Sequence, residues 1–384
     1  MITKIINGRI ICKDEIITEK SVYIKDDIIF DISDCDLPTD NVIDAKGLYV
    51  SAGFIDLHLH GALGGDFADG NVDSVIKSAN HHCGHGTTTL FPTTLSASYE
   101  KIMNSLAAIK TAVSSDAFLP NFGGVHLEGP YFSKSQTGAQ NPDFITPPVK
   151  SEYETILNEY GDIIARWSFA PELAGTAEFV DVLNFKGVVG SFGHSDAKYS
   201  DIMPIYEKGV KLITHFYSCT STITREKGFR KLGLTEFGYL YDDVTVEAIA
   251  DGGHIPKELF SLLYKIKGAD NICLITDSMR CCGNDDEFAD MGGIPVKIKN
   301  GVATLMDESA FAGSIATAVR LVRFCVNDVG IDICRAVKMM TINPARVMGL
   351  EHKGEISAGY DADIILFDEQ INIAKVIVRG RVVI

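Results

Sequence analysis

Between residues 53 and 350 the chain alternates between short apolar runs and helix-length segments, and no other feature narrows its fold as much. The runs are Phe54–His60, Thr87–Pro92, Gly123–Glu128, Ala165–Ala170, Val188–Gly193, Val210–Thr214, Val244–Ala250 and Ile272–Thr276. Helical stretches separate most of them, for example Tyr99–Val113, Ser200–Lys208 and Pro256–Lys267. Strands that alternate with helices pair in parallel and are covered on both faces. A doubly wound open sheet would alternate in the same way; a set of eight is what favours closure into a (β/α)8, TIM-like barrel. Beyond the eighth run, Ile294–Leu305 predicts a hairpin turned at Asn300-Gly301. Helices are expected over 316–350, with Asn343-Pro344 as the start signal of the last.

The two ends follow a different pattern. Lys4–Cys12 is broken by Asn7-Gly8 and is followed by Ser21–Ile24 and Ile28–Ile32, all short alternating runs. Near the other end, Ala362–Asp368 predicts a strand and Val376–Val383 a hairpin around Arg379-Gly380. Neither end buries a core by itself. The expectation is one small β-sandwich domain assembled from residues 1–52 and 351–384, with residues 53–350 forming the barrel.

Composition removes several classes of partner. With 51 acidic against 35 basic side chains, the formal net charge is −16, which argues against nucleic acid. An anionic ligand would need a local basic cluster working against that field. No uncharged apolar run is long enough for a membrane helix, so no membrane partner is expected. The opening Met1-Ile-Thr-Lys-Ile lacks the apolar stretch of a signal peptide. Nine cysteines, none in a Cys-x-x-Cys pair, do not suggest a disulfide framework, and a reducing cytoplasm is the expected compartment.

The chemistry-bearing residues cluster at the ends of the runs. His58-Leu59-His60 closes the first, and positions i and i+2 of a strand share a face, so both imidazoles can address one metal ion. Glu128 closes the third run, while His194, His215 and Asp277 follow the fifth, sixth and eighth. In a barrel these strand ends converge on one rim, where active sites lie. Isolated buried imidazoles are costly without a shared partner; at one rim they predict a divalent-metal site. A metal of this kind lowers the pKa of water towards ~7 and polarises a carbonyl. An Asp beside it can take a proton from water and return it to a leaving nitrogen. Nitrogen and carboxylate donors suit zinc, and iron, manganese or cobalt as well, with one or two ions per chain.

Leu127-Glu128-Gly129-Pro130, Gly193-His194-Ser195, Thr214-His215-Phe216-Tyr217, Ala250-Asp251-Gly252-Gly253-His254 and Thr276-Asp277-Ser278 stand at these positions. In them the chain resembles the N-acetylglucosamine-6-phosphate deacetylases of the amidohydrolase superfamily. The resemblance runs from Ala52-Gly53-Phe54-Ile55-Asp56 to Gly359-Tyr360-Asp361-Ala362-Asp363. Its most specific element is Glu128; many relatives use a carboxylated lysine on strand four, where this chain has Phe169-Ala170-Pro171-Glu172. The resemblance implies a metal-dependent hydrolase that deacetylates N-acetylglucosamine 6-phosphate in amino-sugar catabolism. It makes Glu128, His194 and His215 ligands of the principal metal, His58 and His60 a pair serving a second, and Asp277 the catalytic base and acid. It assigns substrate contacts to Ala139, Gln140, Ser218, Cys219, Asp251, Gly252, Gly253, His254, Phe311, Ala312 and Gly313. It further implies a homodimer and a phosphate-binding role for Arg225, which begins a basic segment with Lys227, Arg230 and Lys231.

Some positions depart from the family pattern. Ser218-Cys219-Thr220 stands where Asn-Ala-Met is usual, Lys227 where proline is usual, and Gln140 where some members have histidine. These surround the substrate, so two alternatives stay open: deacylation of another N-acylated amino sugar or amino acid, and a non-catalytic barrel that binds sugar phosphates. Other polar residues are expected to be structural. His81, His82 and His85 lie at a helix C-terminus, which favours their charged forms, and Cys281-Cys282 forms a loop thiol pair. Asp56 and His126, each in step with a candidate ligand on its strand, are expected to support the site from behind.

Overall fold

The computed structural model describes residues 1–384. All eight apolar runs form strands: β1 (Phe54–Leu59), β2 (Thr87–Pro92), β3 (Val125–Glu128), β4 (Ile164–Phe169), β5 (Val189–Phe192), β6 (Leu212–Ile213), β7 (Thr245–Ala248) and β8 (Ile272–Leu274). Strands β3 to β8 pair in sequence order and in parallel, as do β1 and β2. Two parallel bridges, Thr93 with His126 and Leu59 with Ser278, join β2 to β3 and β8 to β1, and the ring closes. The barrel expected from the alternation is therefore present. Its wall is packed by Val75, Leu106, Ile156, Phe179, Ile202 and Phe260 of the surrounding helices, all buried against the strands.

Both chain ends build the small β-sandwich. One sheet runs Ile28–Ser33, Ser21–Lys25, Ile2–Ile6, Asn41–Asp44. The other places Ile364–Phe367 antiparallel to Tyr49–Ala52, in the register Ile364 to Ala52, so the C-terminal strand is held by the N-terminal one. Ile5, Val22, Ile24, Val50, Ile364 and Leu366 fill the space between. From Ala52 the chain passes directly into the barrel. Gly53 is required at that crossing: a Cβ there would stand 2.0 Å from the Thr88 hydroxyl of the neighbouring strand.

Two features differ from expectation. The hairpin Ile294–Lys299/Val302–Leu305 gains a third strand, Phe288–Met291, turned at Gly292-Gly293. The last helix begins at Ile342, before Asn343. Asn343 does not cap its own helix; its amide donates to the Ala269 and Ile272 carbonyls, both at 2.6 Å, and ties the helix to the entry of β8.

Candidate active site

A pocket of about 560 Å³ opens at the C-terminal rim of the barrel. His60, Glu128, His194, His215 and Asp277 line its floor, and His58 lies fully buried beneath. The strand ends deliver these groups at a cost in backbone strain. His194, His215 and Asp277, each just beyond its strand, have positive φ of 46°, 28° and 48°. Such conformations cost of order 1–3 kcal/mol each in non-glycine residues and cluster at functional sites.

The imidazole tautomers follow from their partners. His194 Nδ1 stands 2.8 Å from the Gln136 carbonyl and His215 Nδ1 3.1 Å from the Ser218 carbonyl. A carbonyl only accepts, so both rings carry a proton on Nδ1, and in its neutral form each presents its lone pair on Nε2. Those two Nε2 atoms lie 3.1 Å apart, and 3.2 and 3.0 Å from Glu128 Oε1. In that neutral form three electron-rich atoms converge, and they repel unless a proton or a metal ion sits among them. Donors placed 2.0–2.1 Å from a tetrahedral ion stand ~3.3 Å apart, close to this spacing. The donor set fits a divalent metal.

A second group, His58, His60 and Asp277, converges beside the first. The His58 and His60 Nε2 atoms are 3.3 Å apart and lie 3.4 and 3.2 Å from Asp277 Oδ1. Burial opposes charge on His58, yet the Glu128 and Asp277 carboxylates outweigh it and lift its pKa to about 10. Burial would also raise the carboxyls, but the imidazoles hold Asp277 below its ordinary value and Glu128 well below. Protons and metal ions compete for the same lone pairs, so the raised imidazole pKa marks a demand for positive charge.

The structure brings most of the expected substrate residues to the wall. Ala139, Gln140, Ser218, Cys219, His254, Phe311 and Gly313 line the pocket, together with Tyr217, Met291 and Leu305. His254 Nδ1 is 2.9 Å from Asp251 Oδ2, which leaves Nε2 free for a ligand, and the Phe311 ring covers it at 4.4 Å. Gly138, at φ +55°, makes room for Cys219: a Cβ would lie 2.6 Å from the Cys219 sulfur. Gln140 is not spent on the pocket alone. Its amide donates to Glu128 Oε2 at 2.6 Å, and its Oε1 accepts from the Ser96 N–H at 2.8 Å.

Other expected positions stand back from the wall. Asp251 turns into its own loop, accepting from the Gly253 and His254 N–H groups at 2.9 and 2.8 Å, so it orients His254. Gly252 and Gly253 shape that loop, and Ala312 is buried behind Phe311. Arg225 lies on an exposed hairpin, Thr224–Glu226/Phe229–Lys231, outside the pocket of its own chain. Asp56 supports the floor by accepting from the Thr276 hydroxyl at 2.6 Å and from the His58 N–H at 3.3 Å; burial raises its carboxyl to about 7. His126 is fully buried one layer below, 2.6 Å from the Ser168 hydroxyl. Glu172, at the end of strand four, holds the loop after His194 through the Ser195 hydroxyl and the Asp196 N–H.

Two charged residues at the barrel's centre escaped the sequence reading. Arg166 on β4 and Glu247 on β7 are both fully buried and paired with one another. Their signal was available: each is the lone charge of its strand, and the two signs are opposite.

Residues 49–383 match the model of the amidohydrolase family. The chain belongs to the amidohydrolase family. The resemblance to its N-acetylglucosamine-6-phosphate deacetylases is also borne out. The chain is 30% identical to the N-acetylglucosamine-6-phosphate deacetylase of Lysinibacillus sphaericus over 340 residues, 88% of this chain and 87% of that protein. The solved structure of the Thermotoga maritima N-acetylglucosamine-6-phosphate deacetylase superposes with a TM-score of 0.89 at 31% identity, covering 100% of this chain and 99% of that one. A variant of the Mycobacterium smegmatis deacetylase, in complex with N-acetyl-D-glucosamine-6-phosphate, gives a TM-score of 0.90 at 26% identity with the same coverage. No helix of this amidohydrolase is long and apolar enough to cross a membrane.

Proposed function

We propose that this amidohydrolase removes the acetyl group of N-acetylglucosamine 6-phosphate, yielding glucosamine 6-phosphate and acetate in amino-sugar catabolism. The observation that carries the reading is the convergence of the Glu128, His194 and His215 lone pairs beside Asp277 at the pocket floor. The relatives' shared activity supports it. Glu128, His194 and His215 would hold the principal ion and His58, His60 and Asp277 a second; zinc suits these donors best. When bound, the metal supplies Lewis-acid polarisation of the amide carbonyl and acidifies water.

The chain's own residues do the rest. Asp277, held ionised by its imidazole neighbours, takes a proton from water on its carboxylate and delivers it to the departing sugar nitrogen, which cannot leave as an anion. His254, oriented by Asp251, offers Nε2 to the sugar or its phosphate. Phe311 and Gly313 close one wall and the Gly138–Gln140 segment another. Gln140 steadies Glu128 and keeps a second N–H for the substrate.

The exposed basic hairpin fits a homodimer in which Arg225 of each subunit serves its neighbour's phosphate, and the compartment is the cytoplasm. The test is acetate release by zinc-loaded protein, with N-acetylglucosamine 6-phosphate beside the unphosphorylated sugar. Turnover of the phosphorylated sugar is expected. Absence of acetate from it would overturn the reading.

A further inference from the structure

Arg166 and Glu247 are sealed from water at the centre of the barrel. Replacing such a buried pair by apolar side chains of similar volume is often neutral or stabilising, so a buried pair by itself is weak evidence of a stability role. Its contacts point elsewhere. Arg166 donates through Nε to the Ser191 hydroxyl at 3.2 Å, through Nη2 to the Thr214 hydroxyl at 2.8 Å and through Nη1 to the Leu57 carbonyl at 3.3 Å. Its Nη1 also holds Glu247 Oε1. Every strand from β4 to β7, and β1 as well, is thereby tied to one guanidinium.

The other oxygen of Glu247 faces the metal site. Oε2 lies 3.4 Å from His58 Nδ1 and accepts the backbone N–H of His215 at 3.3 Å. A carboxylate on Nδ1 keeps a proton there and aims Nε2, whose lone pair a metal would use, towards Asp277 and Glu128. The same oxygen fixes the backbone of His215, a ligand of the other set, at a positive φ that it would otherwise avoid. His60 has no such support, since its Nδ1 is buried without a partner. His126 packs edge-on to the His58 ring at 4.6 Å, but its own nitrogens are taken by Ser168 and Thr93. The Nδ1 side of the His58 ring is thus held by Glu247 alone.

We propose that Arg166 and Glu247 are a positioning pair for the metal centre, one carboxylate oxygen setting the distance between the two ligand sets and making the His58 set able to bind its ion. This rests on the metal-centre reading above and is independent of the substrate. The test measures zinc per chain after equilibration with a graded chelator, and the visible spectrum of the cobalt-substituted protein. Wild type is expected to hold two ions. Glu247→Asp keeps the charge opposite Arg166 but withdraws the oxygen from His58 by one carbon. It is expected to keep the first ion, bind the second about 10–100-fold more weakly, and lose the second cobalt absorption component. Arg166→Lys, which keeps the charge but loses the fork, is expected to do the same and stands in if Glu247→Asp does not fold. Wild-type stoichiometry and affinity in the folded variants would overturn the proposal, as would a wild type that takes up a single ion. A wild type that binds no ion would overturn the metal-centre reading itself.

Discussion

His58 and His82 are both fully buried imidazoles, yet the protein treats them in opposite ways. His82, on the helix Val72–Gly84, hydrogen-bonds the Gly61 carbonyl at 3.1 Å, and burial drives its pKa down to about 3. His58, among Glu128, Asp277 and Glu247, is lifted to about 10. Burial strips the proton from both; only surrounding carboxylates restore the demand for charge. Position at a helix C-terminus does not suffice. That field is worth at most ~2 kcal/mol, and burial outweighs it at His82 and at His81, which is lowered to about 4. The expectation that the helix end would favour their charged forms is therefore corrected. The carboxylates, and not the imidazoles, distinguish a metal centre from a histidine-rich core.

The strongest way to break this comparison is to remove the central carboxylate. Glu128 Oε1 stands 3.0, 3.2 and 3.5 Å from three imidazole nitrogens. Glu128→Gln is expected to weaken zinc binding by more than ~100-fold, beyond the loss typical of an outer-shell partner, and to abolish turnover. Inductively coupled plasma analysis of dialysed protein reads the first and acetate release the second. Retained zinc would show that the histidines suffice. Asp277→Asn comes next. It keeps the shape but cannot accept the water proton, and kcat is expected to fall ~10²–10⁴-fold with KM little changed. Full activity would remove Asp277 from the mechanism.

A smaller effect is expected behind the ligands. Gln140→Ala leaves Glu128 Oε2 without its 2.6 Å partner and the Ser96 N–H without its acceptor. Zinc affinity or kcat/KM is expected to fall ~10–100-fold, less than for either residue above. Isothermal titration with zinc separates a weakened ligand from a weakened substrate contact; unchanged zinc affinity with a raised KM would return Gln140 to the substrate alone.

The fold and the candidate ligand sets were legible because both are local patterns. Eight apolar runs stand out from the helices between them, and the candidate ligands fall just at or after their ends. What lay beyond the sequence is what distant segments do to one another. The resemblance makes Asp251 a substrate contact, but three hydrogen bonds turn it into its own loop. Arg225 carries the right charge on a hairpin that its own chain does not fold over the site. Arg166 and Glu247 are 81 positions apart, and only barrel closure makes them partners. The third strand Phe288–Met291 was hidden because it is short, follows the acidic Asp285-Asp286-Glu287 and runs straight into two glycines.

The finest test lies on the other side of the comparison, at His82. Its folded-state pKa, about 3, is below the ordinary unfolded value of ~6.5, so the unfolded chain binds the proton first. Neutral His82 therefore contributes nothing against folding above pH ~6.5, and stability is lost as pH falls from there towards 3. His82→Gln keeps a donor for the Gly61 carbonyl and removes the titration. At pH 7.5 the variant is expected to unfold in urea within about 1 kcal/mol of wild type, since one hydrogen bond is exchanged for another. At pH 5 the gap is expected to close or reverse, because only the wild type is penalised for keeping a buried imidazole neutral. Parallel urea curves for the two proteins at both pH values read the difference directly. If the gap did not change between them, His82 would not be a neutral core residue, and its contrast with the carboxylate-ringed His58 would fall.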